Sequence, residues 1–575
     1  KNGGFELAGR PWQAHGLSYF MPYVAGQPNM NQWLPFLNPE LYDPDIVDSD
    51  LSRIAKLGMT AVVIPYADLV QADSISDMLI RCQRYGIKVI MFIGYGVADP
   101  LNYNLELLER KIKIASLDRQ PALLAIEPAW EPHFGARDER KKFDALWTKW
   151  VIEQYGSLQS AFKSWGFSPI VNGDTIEGPS DQQLIQVGPS QVMVAAYRRF
   201  TDDFVSRNYG MITRTIRKLC PHSLIGTRTG WGSSCSLWID SRMPFDMISG
   251  AAHLDYISPE AYGLLYGPWS RVEDGKLVTA LARYDGHGKP IVWMEYGQTI
   301  VDIFRGVWKQ DSLNYFTQDK FVRNILRLMK EVQASGSFAW WWPGGYRIEE
   351  KSDFGFTEPF GSPRPALRTL SSMIPELMSQ KGEYKTQKDI IIDRDMHPRG
   401  ASMIIERHRK EFLYLDHQGI HAGFCTEGTN KTTENVLLVG IGNVPFQKGM
   451  PPKYINAEFV KVEVMLQDNS WHEIQRDQKV SGVPLKHPIE LRITALNTDD
   501  VAWDARQDSD GLVKLRVQCS DKNISETPVV KEIRWGQVCT MSMSLSEPYR
   551  SGLFTLRFGC NRVGGFGETF HFELN

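Results

Sequence analysis

The chain has 575 residues, which excludes a single small module and, at roughly 150 residues per domain, corresponds to about four domains, or fewer if one is a large barrel. Apolar residues make up 42% and charged residues 23%, with 17 Trp, 21 Tyr and 27 Phe, so a disordered chain is excluded and a large core can be buried. Lys and Arg number 64 against 67 Asp and Glu, and a formal charge of -3 gives no electrostatic reason to expect nucleic acid or an anionic membrane as partner.

The cysteines at 82, 220, 235, 425, 519, 539 and 560 form no CxxC and no close Cys/His cluster. Neither a metal nor a cofactor is therefore expected, and a dense disulfide framework is excluded. No run approaches the roughly 20 uninterrupted apolar residues of a membrane helix, so membrane insertion is not expected. The opening KNGGFELAGR lacks a basic-then-apolar leader. A start at Lys1 rather than Met leads us to expect a trimmed mature chain, secreted or periplasmic, whose export signal has been removed.

Apolar runs alternate with capped amphipathic segments up to about residue 342, the grammar of β/α units around a parallel sheet. WQAHGLSYF (12–20) opens the series. Asp48, Ser49 and Asp50 can cap a helix carrying Leu51, Ile54 and Leu57; Gly58 ends it and TAVVIPY (60–66) follows as a strand. Ile75, Met78, Leu79 and Cys82 make the next helical stripe, Gly86 stops it, and IKVIMFIGY (87–95) reads as a strand buried on both faces. The remaining strands are LLAIEPAW (123–130), LIGTRT (224–229), DYISPEAY (255–262), PIVWMEY (290–296) and GSFAWWW (336–342). These eight strands predict an α/β fold built on a (β/α)8 TIM barrel over residues 1–384.

After RPAL (364–367) the pattern changes. DIIIDRD (389–395), a helical stretch from about 400 to 412 and VLLVGIG (436–442) predict a small α/β connecting unit over 385–454. From about 455 short alternating runs such as FVKVEVML, IELRITAL, LVKLRVQC and GLFTLRFG predict an Ig-like β-sandwich over 455–575. GIGNVP (440–445) has Pro445 in place of the third fingerprint glycine and reads as a turn. HExxH, G-x-S-x-G and GxxxxGK[ST] do not occur.

Reactive groups of such a barrel sit where strands end. LLAIEPAWEPHFG (123–135) carries Glu127 and Glu131, four apart and hence on one side of an extended strand, with Glu131 at its end. PIVWMEYG (290–297) delivers Glu295 to the end of an apolar strand. A carboxylate there is costly to bury unless hydrogen-bonded or used, although structural ion pairs also explain many such acids.

At these residues the sequence resembles the clan A glycoside hydrolases, retaining enzymes with an acid/base Glu ending strand 4 in Asn-Glu-Pro and a nucleophile Glu ending strand 7. AWEP (129–132) and WMEYG (293–297) match the two motifs. SPEAYG (258–263) and WWWPGG (340–345) extend the match to strands 6 and 8, and FDALWTKWVIEQYGSLQSAFKSWG (143–166) is similar to family 42 β-galactosidases in its YGSL and WG spacing. The resemblance implies Glu131 as acid/base, Glu295 as nucleophile and Tyr262 as a hydrogen-bond partner of the nucleophile. It also implies an aromatic at strand 8 under the reacting sugar. Glu127, in a second Glu-Pro pair, competes with Glu131, but its deeper position favours a structural role or one supporting the site from behind.

Trp341 or Trp342 is expected to wall the sugar site, the other packing inward, because neighbours alternate along a strand. Trp231, Trp238, Trp269 and Trp308 lie in loop-like segments that favour ligand contact, and Glu260 and His15 in strand-end contexts that could hold sugar hydroxyls. Two positions depart from the clan: Trp130 stands where its Asn precedes the acid/base, and the Arg it carries on strand 2 is missing from TAVVIPY, with Arg228 on strand 5 a substitute. The expected protein is a retaining β-glycoside hydrolase acting on a neutral plant- or microbe-type oligo- or polysaccharide, of β-galactosidase, β-glucosidase or β-mannosidase type. The alternative, motivated by Trp130, is a carbohydrate-binding protein on a catalytically degenerate barrel.

Overall fold

The computed structural model of the protein describes residues 4–21, 34–185, 189–229, 248–262, 274–301, 312–347, 352–359, 361–379, 384–392, 394, 401–425, 457–483, 488–497, 502–507, 512–520, 522–533, 537–545, 551–560 and 564–575. VLLVGIG, GIGNVP and the tryptophans at 231, 238, 269 and 308 lie outside them, as does the side chain of Tyr262. The chain divides into two compact units, one of residues 1–136, 201–392 and 399–426, the other of 137–200, 393–398 and 427–575.

The first unit is the barrel. Its strands are β1 (Ala14–Ser18), β2 (Ala61–Pro65), β3 (Lys88–Phe92), β4 (Leu123–Glu127), β5 (Leu224–Thr229), β6 (Tyr256–Tyr262), β7 (Val292–Gly297) and β8 (Gly336–Ala339). They close in sequence order, every neighbour parallel, with β8 pairing β1. Seven lie within the runs read from the sequence, and β7 extends its run by one residue, to Gly297. AVVIP of β2 and VWMEYG of β7 are buried throughout, because a barrel strand faces side chains inside and helices outside.

The helices follow local signals. Helix α1 (Pro44–Lys56) starts earlier than the sequence suggested: Asp43, not the 48–50 triplet, caps it by accepting from the Asp45 and Ile46 backbone N–H groups. Pro44 fixes the first position, where a missing N–H costs nothing. Asp50 is instead a buried side chain inside α1 and accepts from the Tyr19 hydroxyl at 3.2 Å. Helix α2 (Ala72–Arg84) buries Ile75, Met78, Leu79 and Cys82, and the chain turns at Gly86 with φ +71, a left-handed conformation that glycine adopts freely. Helices α3 (Leu105–Ile114), α4 (Gln191–Leu219), α5 (Asp274–Asp285), α6 (Ser312–Glu331) and α7 (Pro365–Met378) continue the plan. Beyond them β9 (Lys388–Ile391), α8 (Ala401–His417) and β10 (Ala422–Cys425) form a parallel β-α-β piece. Arg409 and Asp416 of α8 pair with Asp274 and Lys276 of α5, fixing that piece to the barrel's own helix.

In the second unit, helices Asp144–Tyr155 and Leu158–Trp165 stack Trp147 between Trp150 and Trp165, with ring centroids 5.5 and 5.7 Å away. The YGSL and WG spacing now has a local cause. Gly156 and Gly166 close the two helices at positive φ, and Ser157 caps the second by accepting from Ser160 N–H. The C-terminal part holds a four-stranded sheet of Trp471–Glu473, Glu458–Met465, Ile489–Leu496 and Val538–Leu545, in that spatial order. A five-stranded sheet runs Lys479–Val480, Gly564–Leu574, Gly552–Cys560, Lys514–Cys519 and Lys522–Pro528. Ile489–Leu496 and Val538–Leu545 bury alternate residues, one face each, around a shared core that includes Leu491, Val517, Trp503 and Phe558. That is the β-sandwich expected from the alternating runs. No helix among the described residues is long and apolar enough to cross a membrane.

Candidate active site

The C-terminal strand ends gather the acids. Glu127 ends β4, and three residues on, Trp130 forms a parallel bridge with Arg228 of β5, placing Glu131 just beyond the barrel rim. Glu131 sits at φ +46, a left-handed conformation that a non-glycine residue holds only when its surroundings enforce it. On the facing wall Glu260 of β6 is the register partner of Glu295 of β7, which puts two buried carboxylates side by side. One carboxylate oxygen from each of Glu131, Glu260 and Glu295 lies within 4.8 Å of the others.

A single guanidinium runs beneath this group. Arg228, buried, donates from one terminal nitrogen to Glu295 Oε2 at 2.7 Å and from the other to Glu127 Oε2 at 2.5 Å. Its charge centre lies 3.1 Å from the centroid of the Trp130 ring. Burial pulls the Arg228 pKa down, but the charges of Glu127 and Glu295 outweigh it and hold the group above its ordinary value. Burial raises the Glu127 carboxyl above the usual carboxylate range, with Arg228 opposing. The Tyr256 ring of β6 fills the space over Gly226 of β5, where any side chain would collide with it.

Aromatic rings form an arc beside the acids. Tyr95 meets Phe92 at 4.9 Å, Phe92 meets Trp130 at 5.3 Å, and Trp130 meets Trp340 at 5.8 Å, all edge-on. Tyr95 keeps its ring more than half exposed, while desolvation of its hydroxyl and then the charges of Glu131, Glu295 and Glu260 push its pKa up to about 12. Its place just past the end of β3 is its one signal in the sequence, and no motif marks it.

The structure thus brings together Glu131, Glu295, Glu260, Arg228 and Trp130. It places three expected contacts elsewhere. His15 lies near the start of β1, the opposite end of the barrel from the acids, with its ring nitrogens on Ser337 Oγ at 2.8 Å and Gln13 Oε1 at 2.9 Å. Burial lowers its pKa to about 3, so it is a neutral packing residue and not a sugar ligand. Trp342 turns outward to Arg53 of α1 and hydrogen-bonds Asp50, which corrects its reading as a sugar wall. Trp341 is fully enclosed between Phe20, Trp340 and Phe354, so no sugar ring can lie on it either. The physical reason is that β8 ends at Ala339, so strand alternation does not govern the three tryptophans, and Trp340 is the one that reaches the Trp130 ring.

Residues 127–303, less than half of the chain, match the sequence model of the glycoside hydrolase family 42 beta-galactosidases. No sequence among curated proteins matches the chain. Among solved structures, the beta-galactosidase of the Antarctic haloarchaeon Halorubrum lacusprofundi is similar at 13% identity and a TM-score of 0.53, over 72% of this chain and 66% of that one. The chain thus spans just under two thirds of that enzyme's length. The beta-galactosidase of the psychrophilic Marinomonas ef1 is similar at 13% identity and a TM-score of 0.51, over 80% of this chain and 84% of that one. An exo-beta-1,4-mannosidase from an Opitutaceae bacterium follows at 12% identity and a TM-score of 0.47, over 74% and 71%. At these identities the likeness is one of fold. The fold is a closed (β/α)8 barrel, and residues 127–303 within it carry the similarity to the family 42 glycoside hydrolases.

Proposed function

We propose that the protein is a retaining β-glycosidase working by double displacement on neutral glycans, with β-galactosides the first configuration to test because of the family match over 127–303. The observation that carries this reading is the spacing of Glu131 and Glu295, whose nearest carboxylate oxygens lie within 4.8 Å. Retaining enzymes keep their two carboxyl groups about 5–5.5 Å apart, while inverting ones leave about 6.5–9.5 Å for a water. In the first step a Glu295 oxygen bonds to the anomeric carbon as the glycosidic C–O bond breaks, and Glu131 gives its proton to the departing oxygen. In the second, Glu131 takes a proton from water, whose oxygen displaces Glu295 from the same carbon. Arg228 donates to Oε2 of Glu295 and supplies a positive charge beside the carboxylate that attacks.

Azide rescue tests the assignment. Glu131→Ala should be slow on poor leaving groups and recover turnover with azide on activated aryl β-glycosides, giving the β-glycosyl azide. Rescue of the Glu127→Ala enzyme instead, or an α-configured azide, would reverse the assignment or the stereochemistry. The second reading, a glycan-binding barrel without turnover, draws on Trp130 in the place of the clan's Asn. Binding without hydrolysis across gluco, galacto, manno and xylo aryl glycosides and polysaccharides would favour it.

A further inference from the structure

Glu127 is a buried carboxylate that double displacement does not use, since the acid/base and nucleophile roles fall to Glu131 and Glu295. It nevertheless holds one end of the Arg228 guanidinium, whose other end meets Glu295. We propose that Glu127 is a positioning residue for the nucleophile, acting through Arg228. This rests on the reading of Glu295 as nucleophile.

The argument is geometric. A guanidinium is a rigid planar fork whose natural arrangement with one carboxylate is bidentate, two nitrogens on two oxygens. Bidentate pairing with Glu295 would occupy both of its oxygens, including the one that must reach the anomeric carbon. The structure shows the fork divided: one terminal nitrogen on Glu127 Oε2 and the other on Glu295 Oε2. Glu127 and Arg228 are wholly buried on neighbouring strands, β4 and β5, so the division is built into the barrel register. Trp130 covers a face of the guanidinium and bars it from swinging that way. Glu127 thus holds Arg228 in one-point contact with Glu295, and its own carboxylate offsets part of the cation's pull on the nucleophile.

The consequence is readable in pH profiles. Without Glu127, the undivided cation stabilises the Glu295 carboxylate more strongly, so the acid limb of kcat/KM moves to lower pH, by about one unit for a charge change at this range. The other groups facing the pair stay in place: Glu260 on β6, Glu131 beyond β4 and Tyr95 beyond β3 around Glu295, with Tyr256 on β6 and Tyr209 on α4 in the field of Glu127. The shift therefore reports Glu127 alone.

The test compares wild type, Glu127→Ala and Glu127→Gln, each normalised to sites labelled by a 2-deoxy-2-fluoro β-glycoside. Glu127→Ala should lose at least about tenfold in kcat with little change in KM, and its acid limb should move down. Glu127→Gln keeps an acceptor for Arg228 and should recover part of kcat while the limb stays lowered. A merely structural Glu127 would lower the melting temperature of both variants and leave kcat per labelled site and the acid limb where they are, which overturns the proposal. If Glu127→Ala does not fold, an unshifted limb in Glu127→Gln overturns it alone. Label on a residue other than Glu295 in wild type refutes the nucleophile assignment and this proposal with it; label on Glu295 with unshifted limbs refutes only the positioning role.

Discussion

Replacing Arg228 by Met removes the charge and keeps much of the volume, and the cost can be worked from the site. Arg228 serves two buried carboxylates, so its loss leaves Glu127 and Glu295 without their shared cation. Removing one partner of a buried ion pair costs roughly 3–5 kcal/mol. The variant can limit that cost by protonating. Against the ordinary Glu value of 4.5, keeping one carboxyl neutral at pH 7 costs about 3.4 kcal/mol, so roughly 3 kcal/mol is expected at neutral pH. Burial already raises Glu127, and without the opposing guanidinium it rises further. A raised carboxyl destabilises the fold above its unfolded value and not below it. The deficit should therefore be small near pH 4.5, grow with pH and level off above the raised value. For a barrel unit of about 350 residues, an unfolding entropy near 0.7 kcal/mol/K converts this to about 4–5 °C in Tm at pH 7. Thermal unfolding followed by circular dichroism from pH 4.5 to 8 reads it directly. A deficit that is constant with pH, or that grows toward acid, would refute the view that Arg228 serves these two carboxylates as their counter-ion.

Two other variants separate packing from chemistry. Glu131→Gly relieves the left-handed backbone at φ +46 and should gain about 1 kcal/mol in denaturant unfolding while losing turnover on poor leaving groups; a loss of stability would mean that the side chain, not the backbone, is what the site strains to hold. His15 binds its proton at about pH 3 in the fold against 6.5 outside it, so wild type should lose up to about 1.4 kcal/mol per pH unit on acidifying below 6.5. His15→Gln should flatten that slope with kcat unchanged, and a stability gap that widens toward pH 4 would contradict the burial account.

The barrel strands were legible because residues buried on both faces leave continuous apolar runs, as VVIP in β2 and VIMF in β3 do. Helix starts were less so. The triplet Asp48, Ser49, Asp50 carries the same cap chemistry as Asp43, and only Pro44, which must stand in the first turn, decides between them. His15 showed its strand in the sequence but not which end of the barrel it faces, and its partner Ser337 is 322 residues away. The same limit hid the Glu127–Arg228–Glu295 array, whose members are 101 and 67 residues apart and meet only through strand register. Spacing picked out Glu131 and Glu295 because each lies close to the C-terminal end of its strand. It could not give the cation that joins Glu295 to Glu127.

The two departures from the clan pattern at 130 and on strand 2 are linked by the geometry. β2 is AVVIP, buried throughout, and contributes no cation. The guanidinium that meets Glu295 comes instead from β5, whose Arg228 bridges the backbone of Trp130. A cation entering from that side passes directly against residue 130. A short amide there would leave much of the guanidinium face uncovered in a low-dielectric site, whereas an indole stacks on it and meets Phe92 and Trp340 at its own edges. With the cation on strand 5 and not on strand 2, residue 130 covers the guanidinium that meets Glu295. Glu260 and Tyr95 stand beside Glu131 and Glu295, so on the reading proposed above the replacement of the clan's Asn by Trp130 is accounted for by the cation it covers and is no argument against turnover.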